Sequence, residues 1–431
     1  MRQPSPPPDC CYPLRRPTPH GARIVTASIE DLRQRARRRL PRTVFDYVEG
    51  FSDDGFTTTA NRRSFDRYLF NSRTLVDVSK VDHSTTLLGE PLATPIILAP
   101  AGLAGLLAPR GEELAAKAAA SRGTVFTLST MSIGTLEEVA AAASTPLWFQ
   151  LYVWKDRGVT QSLVDRAKAA GYRALCLTVD VPVMGNREQD RRNGFTIPPR
   201  LHFSNVLDVL RHLGWVLRMS SSPRATFGNF VGHPALTRSD AVGVARFTNS
   251  QFDASVTWKD VEWLRSIWSG PLVLKGITSP EDAQRAVSLG VEALIVSNHG
   301  GRQLDFLPAA IDLLPDIVDA VEGRAELILD GGIRRGSDVA KAIALGARAC
   351  MVGRPYLYGL AANGQAGVEL ALDLLTSELD RTLALLGRPR LNELDRTALR
   401  VDAPASLAPR TSPPHGATPT LLKPVGGTHD T

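Results

Sequence analysis

Short apolar runs alternate with longer helical segments along most of this chain. The apolar runs fall near residues 95–99, 125–129, 147–153, 174–179, 271–275, 293–297, 326–330 and 349–352. Short runs that are apolar throughout are typical of strands buried on both faces of a parallel sheet. Segments of helical character follow near 111–122, 135–143, 157–170, 258–268, 279–289, 308–322, 336–346 and 364–386.

Eight strand and helix units in succession predict a single closed (β/α)8 TIM barrel, which is an α/β fold. A doubly wound open sheet is the alternative, and it would normally carry G-x-G-x-x-G after its first strand. Here the first strand ends in Ala99-Pro100-Ala101-Gly102, which does not match that motif. We therefore expect residues 22–402 to form one barrel domain with a helical segment at its N-terminal end.

Both ends of the chain lack hydrophobic periodicity. Residues 1–21 contain seven prolines, and residues 403–431 are rich in Pro, Thr and Gly. Such segments bury too little apolar surface to offset their chain entropy, so we predict two disordered tails. After the first tail, Ser28 and Asp31 are spaced to cap a basic helix near 29–40.

One connection is much longer than the others. Residues 181–257 separate the fourth strand from the fourth helix, and connections of this length usually have structure or function of their own. Apolar residues recur within it at helical spacing, at Val206, Val209, Leu210, Leu213 and Val216. We predict an amphipathic helix over 206–219 that covers the barrel mouth, with contact to a membrane surface as the alternative.

Composition and charge narrow the function only slightly. The hydrophobic fraction of 43% can fill a large core. The net charge of +6 suits acidic substrates, anionic lipid or nucleic acid. No basic segment is interleaved with aromatic residues, so we do not expect a nucleic-acid partner.

The cysteines and the apolar runs indicate the compartment. Cys10, Cys11, Cys176 and Cys350 form neither a disulfide framework nor a metal-ligand pattern, so we expect reducing surroundings and no metal. No apolar run reaches the roughly 18 residues of a membrane span, and the N-terminus lacks the apolar core of a signal peptide. We expect a cytoplasmic protein, with peripheral attachment to the inner face of the membrane as the alternative.

Polar residues or glycines close all eight predicted strands. In an α/β barrel these carboxyl ends form the active-site face. Each end alone could be a turn or a helix cap, but a ring of polar groups around one mouth adds nothing to stability. We therefore predict one shared site. The ends are Pro100-Ala101-Gly102, Ser129-Thr130, Gln150-Leu151-Tyr152, Thr178-Val179-Asp180, Lys275-Gly276, Ser297-Asn298-His299, Asp330-Gly331-Gly332 and Gly353-Arg354.

The loop after the sixth strand carries the clearest chemistry. His299 and Arg302 lie three residues apart, with Gly300 and Gly301 between them. Such a pair can act on one small ligand, because the His can take a proton while the Arg holds a carboxylate through two hydrogen bonds. The same motif alone could be a helix cap followed by a solvated Arg, and the ring of polar strand ends favours catalysis.

The last two strand ends predict a phosphate site. Gly331, Gly332 and Gly353 let backbone N–H groups approach phosphate oxygens, and Arg334 and Arg354 supply positive charge. Barrels commonly bind phosphate after strands seven and eight.

The other strand ends suit a heteroaromatic ring. Ser129, Gln150 and Thr178 can hydrogen-bond its edge, and Lys275 can place a positive charge beside a ring that becomes anionic. FMN combines a phosphate with such a ring. A sugar phosphate is the competitor, but it would not need so many ring-edge hydrogen bonds.

Nine segments extend this pattern through nearly all of the ordered chain. They read LPRTVFDYVEG, PIILAPAGLAG, FTLST, WFQLYVWKDR, LTVDVPVMGNRE, VLKGI, SNHGGRQLD, LDGGIRRGSDV and GRPYLYGLA. In these motifs and their order, the chain resembles the FMN-dependent α-hydroxy acid dehydrogenases and oxidases. That family includes glycolate oxidases, lactate oxidases and dehydrogenases, and mandelate dehydrogenases.

The resemblance implies a role for each matching residue. His299 would be the catalytic base, and Asp180 would stabilise its imidazolium. Arg302 and Arg187 would clamp the substrate carboxylate. The remaining catalytic or substrate-binding residues would be Tyr47, Tyr152, Met131 and Lys275, with Lys275 beside the N1–O2 edge of the flavin. FMN would be bound by Pro100, Ala101, Gly102, Ser129, Gln150, Thr178, Lys275, Ser297, Asp330, Gly331, Gly332, Arg334, Gly353 and Arg354.

The chain departs from the family pattern at a few positions. Ala101 stands where the family often has Thr, but its backbone faces the flavin and FMN binding should survive. Met131 helps shape the substrate pocket and varies widely among relatives, so substrate size stays open. Asn186 before Arg187 has no clear consequence.

The resemblance implies an enzyme that oxidises a small L-2-hydroxy acid, lactate-like in size, to the 2-oxo acid. A relative acting on a peptide or larger metabolite is the alternative. A non-catalytic flavin-binding module would have lost His299 or a carboxylate-binding Arg, and these are present. Oxygen, a quinone or a cytochrome could accept the electrons, and we expect a homotetramer.

Overall fold

A computed structural model describes residues 25–194, 208–222, 226–231 and 250–401, together with residues 224 and 244. The predicted tails at 1–21 and 403–431 lie outside these ranges, so their disorder stays a prediction. Eight parallel strands close a barrel, and a helix follows each strand. The predicted TIM barrel is therefore confirmed.

The barrel strands follow one another around the barrel in chain order, and the last pairs with the first. Six of the eight are buried at every residue, because side chains fill the barrel interior on one face and helices cover the other. The strands are β1 Ile96–Leu98, β2 Phe126–Ser129, β3 Leu147–Leu151, β4 Ala174–Thr178, β5 Leu272–Ile277, β6 Ala293–Val296, β7 Glu326–Asp330 and β8 Ala349–Val352.

The barrel helices match the predicted segments, with one wrong start. The helices are α1 Gly111–Ser121, α2 Leu136–Ala142, α3 Arg157–Ala169, α4 Trp258–Ile267, α5 Pro280–Ser288, α6 Ala310–Val321, α7 Gly336–Ala344 and α8 Arg354–Leu386. The last helix begins at Arg354 rather than near 364. Pro355 suits a first helical turn, whereas the non-helical backbone at Asn363 and Gly364 kinks the helix where the prediction placed its start.

Local sequence signals explain several of these boundaries. Thr135 and Glu138 form a reciprocal capping box at the start of α2. Ser279 caps α5, where Pro280 occupies the first turn. These caps satisfy backbone N–H groups at the barrel mouth, so they fix where each loop ends and its helix begins.

Additional helices and two small sheets lie outside the eight strand and helix units of the barrel. The predicted basic helix is Ile29–Arg39; the side chain of Ser28 accepts a hydrogen bond from the backbone N–H of Asp31, and the helix packs against α8. The helices Arg42–Glu49 and Phe56–Arg63 follow it. Two small antiparallel sheets complete the fold; they pair Tyr68–Phe70 with Leu399–Val401, and Thr85–Leu87 with Glu90–Leu92.

The helix predicted over 206–219 is interrupted. Residues 206 and 207 lie outside the described ranges; the chain is helical over 208–211, and the helix Leu213–Met219 follows. The break falls at His212, whose ring nitrogen Nδ1 lies 2.7 Å from the carbonyl oxygen of Asp208. The imidazole of His212 thus occupies the carbonyl oxygen of Asp208, which in a continuous helix would accept from the backbone N–H of residue 212.

The helix Leu213–Met219 is held against the barrel by Trp215. The indole Nε1 of Trp215 donates to the carbonyl oxygen of Leu106 at 2.9 Å, and Met219 packs on the core. In the part of the chain that the structure describes, no helix is both long and apolar enough to span a bilayer.

Candidate active site

The carboxyl ends of the strands surround one cavity of about 590 Å³. The structure brings nearly all of the sequence-predicted residues together around it. These are Tyr47, Pro100, Ala101, Gly102, Ser129, Met131, Gln150, Tyr152, Thr178, Arg187, Lys275, His299, Arg302, Asp330, Gly331, Gly332, Arg334, Gly353 and Arg354. Asp180 and Ser297 do not line the cavity; they lie behind it and hydrogen-bond side chains that do.

His299 occupies a left-handed backbone conformation at the end of β6. Its φ is 56°, which is unusual for a residue with a side chain, and Gly300 and Gly301 continue the turn with φ of 65° and 75°. A Cβ at residue 301 would lie 2.2 Å from Oγ1 of Thr58, so only glycine fits. This tight turn places the imidazole in the cavity.

Asp180 orients the imidazole of His299. Nδ1 of His299 lies 3.0 Å from Oδ1 of Asp180. Burial opposes ionisation of Asp180, but the charge that His299 carries when protonated, the hydrogen bond between the two side chains and the charge of Lys275 together outweigh burial and hold the pKa of Asp180 below the usual value. An ionised carboxylate can only accept, so the proton of neutral His299 resides on Nδ1 and Nε2 is left free.

The protonation state of His299 suits a base. Burial lowers its pKa below the ordinary value, and the nearby Asp180 carboxylate offsets only part of this effect. The imidazole is therefore neutral at neutral pH and able to accept a proton.

Lys275, Ser297 and Asp330 form a buried network under the cavity. Nζ of Lys275 donates to Oγ of Ser297 at 3.0 Å and pairs with Oδ2 of Asp330 at 2.8 Å, while Ser297 donates to Asp330 at 2.7 Å. Burial lowers the pKa of Lys275, but the charges of Asp330 and Asp180 outweigh burial and raise it. Lys275 is thus a fixed positive charge at the cavity wall.

Arg302 is half-buried against Tyr47. Its guanidinium lies 5.1 Å from the centre of the Tyr47 ring and donates to the carbonyl oxygens of Tyr47 and Gly50 at 2.8 and 3.0 Å. Burial and the like charge of Arg187 lower the pKa of Arg302 to about 9, which still leaves it charged at neutral pH.

Arg187 reaches the same region from the start of the long connection. It donates to the carbonyl oxygen of Arg302 and to Oε1 of Gln303, both at 3.3 Å. A Cβ at Gly185 would lie 2.5 Å from the carbonyl oxygen of Arg302, so glycine permits this close approach of the two segments. In the described ranges neither Arg187 nor Arg302 forms a salt bridge, which leaves both able to bind an anion.

A second pair of arginines lies at the ends of β7 and β8. Arg354 donates to the carbonyl oxygens of Val48, Gly50 and Gly300 at 3.1, 2.9 and 3.2 Å. Arg334 lies over the ring of Tyr358 at 5.8 Å. Among the described residues these two guanidiniums also lack a carboxylate partner. Together with the neighbouring glycines, they form the positive end of the cavity that a phosphate would require.

Gln150 supplies a hydrogen-bond donor that the protein does not use. Oε1 of Gln150 accepts from Oγ of Ser129 at 3.1 Å, whereas Nε2 is buried and has no partner among the described residues. A buried amide donor is costly unless a ligand acceptor satisfies it. The donor set therefore fits FMN; Arg334 and Arg354 would hold its phosphate, and Gln150 and Lys275 would face its ring edge.

Several cavity residues were missed by the sequence analysis. Met184, Asp190, Phe227 and Phe252 all line the cavity and belong to the connection between β4 and α4. No periodic pattern distinguishes them there, and the only available signal was the length of the connection. None of residues 208–219 lines the cavity, and the cover of the barrel mouth by this helix stays a prediction.

Asp190 adds an acidic group beside the arginine pair. One of its carboxylate oxygens, Oδ1, is buried and has no hydrogen-bond partner among the described residues. Burial raises the pKa of Asp190, and the charges of Arg302 and Arg187 counteract this effect. Asp190 thus places an acidic side chain near both guanidiniums without a salt bridge to either in the described part of the chain.

Known proteins resemble this chain over most of its length. A family model described as FMN-dependent dehydrogenase matches residues 36–401. An L-lactate oxidase from Nostoc sp. is 45% identical over 372 residues, which cover 85% of this chain and 96% of the relative. A peroxisomal (S)-2-hydroxyacid oxidase from Arabidopsis thaliana is 42% identical over 375 residues, covering 87% and 96%.

A solved structure extends the similarity to three dimensions. The crystal structure of the monotopic membrane protein (S)-mandelate dehydrogenase superposes with a TM-score of 0.84 at 39% identity. The match covers 88% of this chain and 100% of that chain.

Replacing Arg334 by Ala should weaken FMN retention. Among the described residues, the Arg334 side chain hydrogen-bonds the carbonyl oxygen of Ile333 and lies over the Tyr358 ring but forms no salt bridge, so little folding stability should be lost. Loss of one charge-assisted hydrogen bond, worth about 1.5–3 kcal/mol, should weaken binding roughly 10- to 100-fold. Titration of the FMN-free protein with FMN, followed by flavin fluorescence, measures this constant.

The matched control is Arg335→Ala. Arg335 pairs with Glu378 at 2.7 Å and does not line the cavity, so its loss should leave FMN affinity unchanged. Equal weakening in both variants, or none in the Arg334 variant, would contradict the assignment of the phosphate end.

Proposed function

Because the chain belongs to the family of FMN-dependent 2-hydroxy acid dehydrogenases and oxidases, we propose that it oxidises an (S)-2-hydroxy acid, lactate-sized or longer, to the 2-oxo acid. The main support for this proposal is a single cavity lined by His299, Arg187 and Arg302. His299 is neutral there, and its ring is hydrogen-bonded to Asp180. FMN, when bound, supplies the acceptor for the two electrons that the substrate loses.

The arginines position the substrate. Arg302 and Arg187 bind its carboxylate, because both are charged and neither is neutralised by a salt bridge in the described part of the chain. Tyr47 and Tyr152 line the same cavity, and the Tyr47 hydroxyl, which donates to the carbonyl oxygen of Gly102 at 3.2 Å, would have to leave that partner to donate to the substrate. Burial, followed by the charge of Asp180, raises the pKa of Tyr152, so its hydroxyl stays protonated and can donate to the substrate.

His299 receives the proton that the substrate loses. Its Nε2 is the free acceptor because Asp180 occupies Nδ1. Once the imidazolium forms, the Asp180 carboxylate at 3.0 Å stabilises its charge. Lys275, held by Asp330, supplies positive charge where the flavin edge would become more negative.

Anaerobic mixing with substrate tests the proposal. The absorbance of bound FMN should bleach with (S)-lactate and longer (S)-2-hydroxy acids. The corresponding 2-hydroxy amides should react at least tenfold more slowly, because they lack the carboxylate charge. The (R) enantiomers should also react at least tenfold more slowly. Equal reaction of acids and amides would contradict the arginine clamp. Bleaching only by a peptide or larger metabolite would favour the alternative function.

The pH dependence tests the histidine and aspartate pair. Since the pKa of His299 is lowered, kcat/KM should stay level at neutral pH and fall only below about pH 6.5. Asp180 raises the pKa of His299, so Asp180→Asn should move this fall to lower pH. The plateau should also drop, by about 10²- to 10⁴-fold, because the imidazolium loses its partner. A fall displaced to higher pH would contradict the pairing.

A surface near the N-terminal helix supports peripheral contact with an anionic membrane. Leu213 and Leu217 are 56% and 72% exposed, and Arg211 and Arg218 are exposed beside them. Arg39 lies close enough to Arg218 for the like charge to add to burial in lowering its pKa. Exposed leucines flanked by arginines suit the interface of an anionic bilayer, where a quinone could accept the electrons.

Vesicle sedimentation checks this membrane contact. The wild type should sediment with phosphatidylglycerol vesicles at low salt, and the double variant Leu213→Gln, Leu217→Gln should do so at least tenfold less. Leu75→Gln is the control, since Leu75 is a fully exposed leucine elsewhere on the surface. Wild-type protein that stays in the supernatant would contradict the proposal.

A further inference from the structure

Phe252 lies near the end of the long connection, where the chain pairs with the segment that follows β3. Phe252 forms an antiparallel bridge with Trp154. The preceding residue, Gln251, accepts from the backbone N–H of Lys155 through its carbonyl oxygen at 2.9 Å and from that of Asp156 through Oε1 at 3.0 Å. These bonds fix the backbone of Phe252 relative to Tyr152, which lies on the same loop as Trp154.

The ring of Phe252 is held by other aromatic rings. It meets Tyr152 edge to face at 5.5 Å and Trp154 at 5.1 Å. Trp154 is fully buried, and the centre of its ring lies 5.2 Å from the ring centre of Phe230. Phe252 itself is only partly buried and lines the cavity, so it presents a rigid apolar surface beside the tyrosine.

The polar groups of the cavity account for only one end of a 2-hydroxy acid. Arg187 and Arg302 suit the carboxylate, and His299 suits the position at which the substrate loses its proton. The remaining part of the acid is its side chain, and Phe252 lines the same cavity beside Tyr152. Other large apolar side chains also line the cavity, among them Leu103, Met131, Met184, Phe227 and Leu357.

We infer that Phe252 is a specificity-determining residue against which the substrate side chain packs, and that the preferred substrates are 2-hydroxy acids with apolar side chains larger than methyl. This inference rests on the proposed function. Each methylene that moves from water onto an apolar wall should raise kcat/KM about fourfold, mainly by lowering KM.

A chain-length series tests the inference. With (S)-lactate, (S)-2-hydroxybutyrate, (S)-2-hydroxyvalerate and (S)-2-hydroxyhexanoate, kcat/KM of the wild type should rise with each methylene. In Phe252→Ala the preference for hydroxyhexanoate over lactate should fall at least tenfold, with Phe252→Leu between the two. Calorimetric binding of the matching 2-oxo acids to the FMN-loaded protein should show the same dependence without turnover.

Phe230→Leu is the matched control. Phe230 packs against Trp154 in the same aromatic cluster but does not line the cavity, so the chain-length dependence of this variant should match that of the wild type. The inference is overturned if Phe252→Ala keeps the wild-type dependence, or if both variants lose it equally. Failure of every 2-hydroxy acid to bleach the flavin would instead overturn the proposed function, and 2-oxo acid binding distinguishes the two results.

Discussion

Four buried or half-buried arginines without salt-bridge partners in the described chain dominate the barrel mouth. Arg187, Arg302, Arg334 and Arg354 make their hydrogen bonds to carbonyl and amide oxygens, or lie over aromatic rings. Placing unneutralised charge in a partly desolvated cavity is costly, and an anionic ligand offsets that cost. We therefore propose that the site is organised around two anions, a phosphate at one end and a carboxylate at the other.

The barrel makes this arrangement possible because the arginines come from separate segments. Arg334 follows β7, Arg354 begins α8, Arg302 lies on the β6 loop and Arg187 follows β4. Close approaches hold these segments in place. Gly185 lies against the backbone of Arg302 and Gly301 lies against Thr58, and a side chain at either glycine would collide with that neighbour. Between the two anion sites, the same β6 loop places His299. Charge and geometry thus point to proton removal from a bound acid.

The sequence predicted the barrel and most of the cavity lining because both follow simple rules. Buried parallel strands are continuous apolar runs, and the residues after them reach one face of the barrel. It could not show that Asp180 and Ser297 lie behind the wall, because strand ends alone do not reveal which side chains enter the cavity. The roles implied by the resemblance, as well as the cytoplasmic location and the tetramer, remain predictions.

The long connection was the least predictable part of the chain. Phe252 and Phe227 reach the cavity through tertiary contacts, which leave no period in the sequence. The helix break at His212 depends on a side chain competing for one carbonyl oxygen, and hydrophobic spacing cannot report such competition. Likewise, the start of α8 was obscured by the kink at Asn363, which restarts the helical pattern.

Single-turnover kinetics of His299→Gln test the central claim most directly, because they separate binding from proton removal. Glutamine leaves all four arginines in place, so the variant should bind FMN and a 2-oxo acid with affinities close to those of the wild type. Reduction of its flavin by the preferred 2-hydroxy acid under anaerobic conditions should slow by about 10²- to 10⁴-fold. A variant that binds both ligands and reduces the flavin at the wild-type rate would contradict the account.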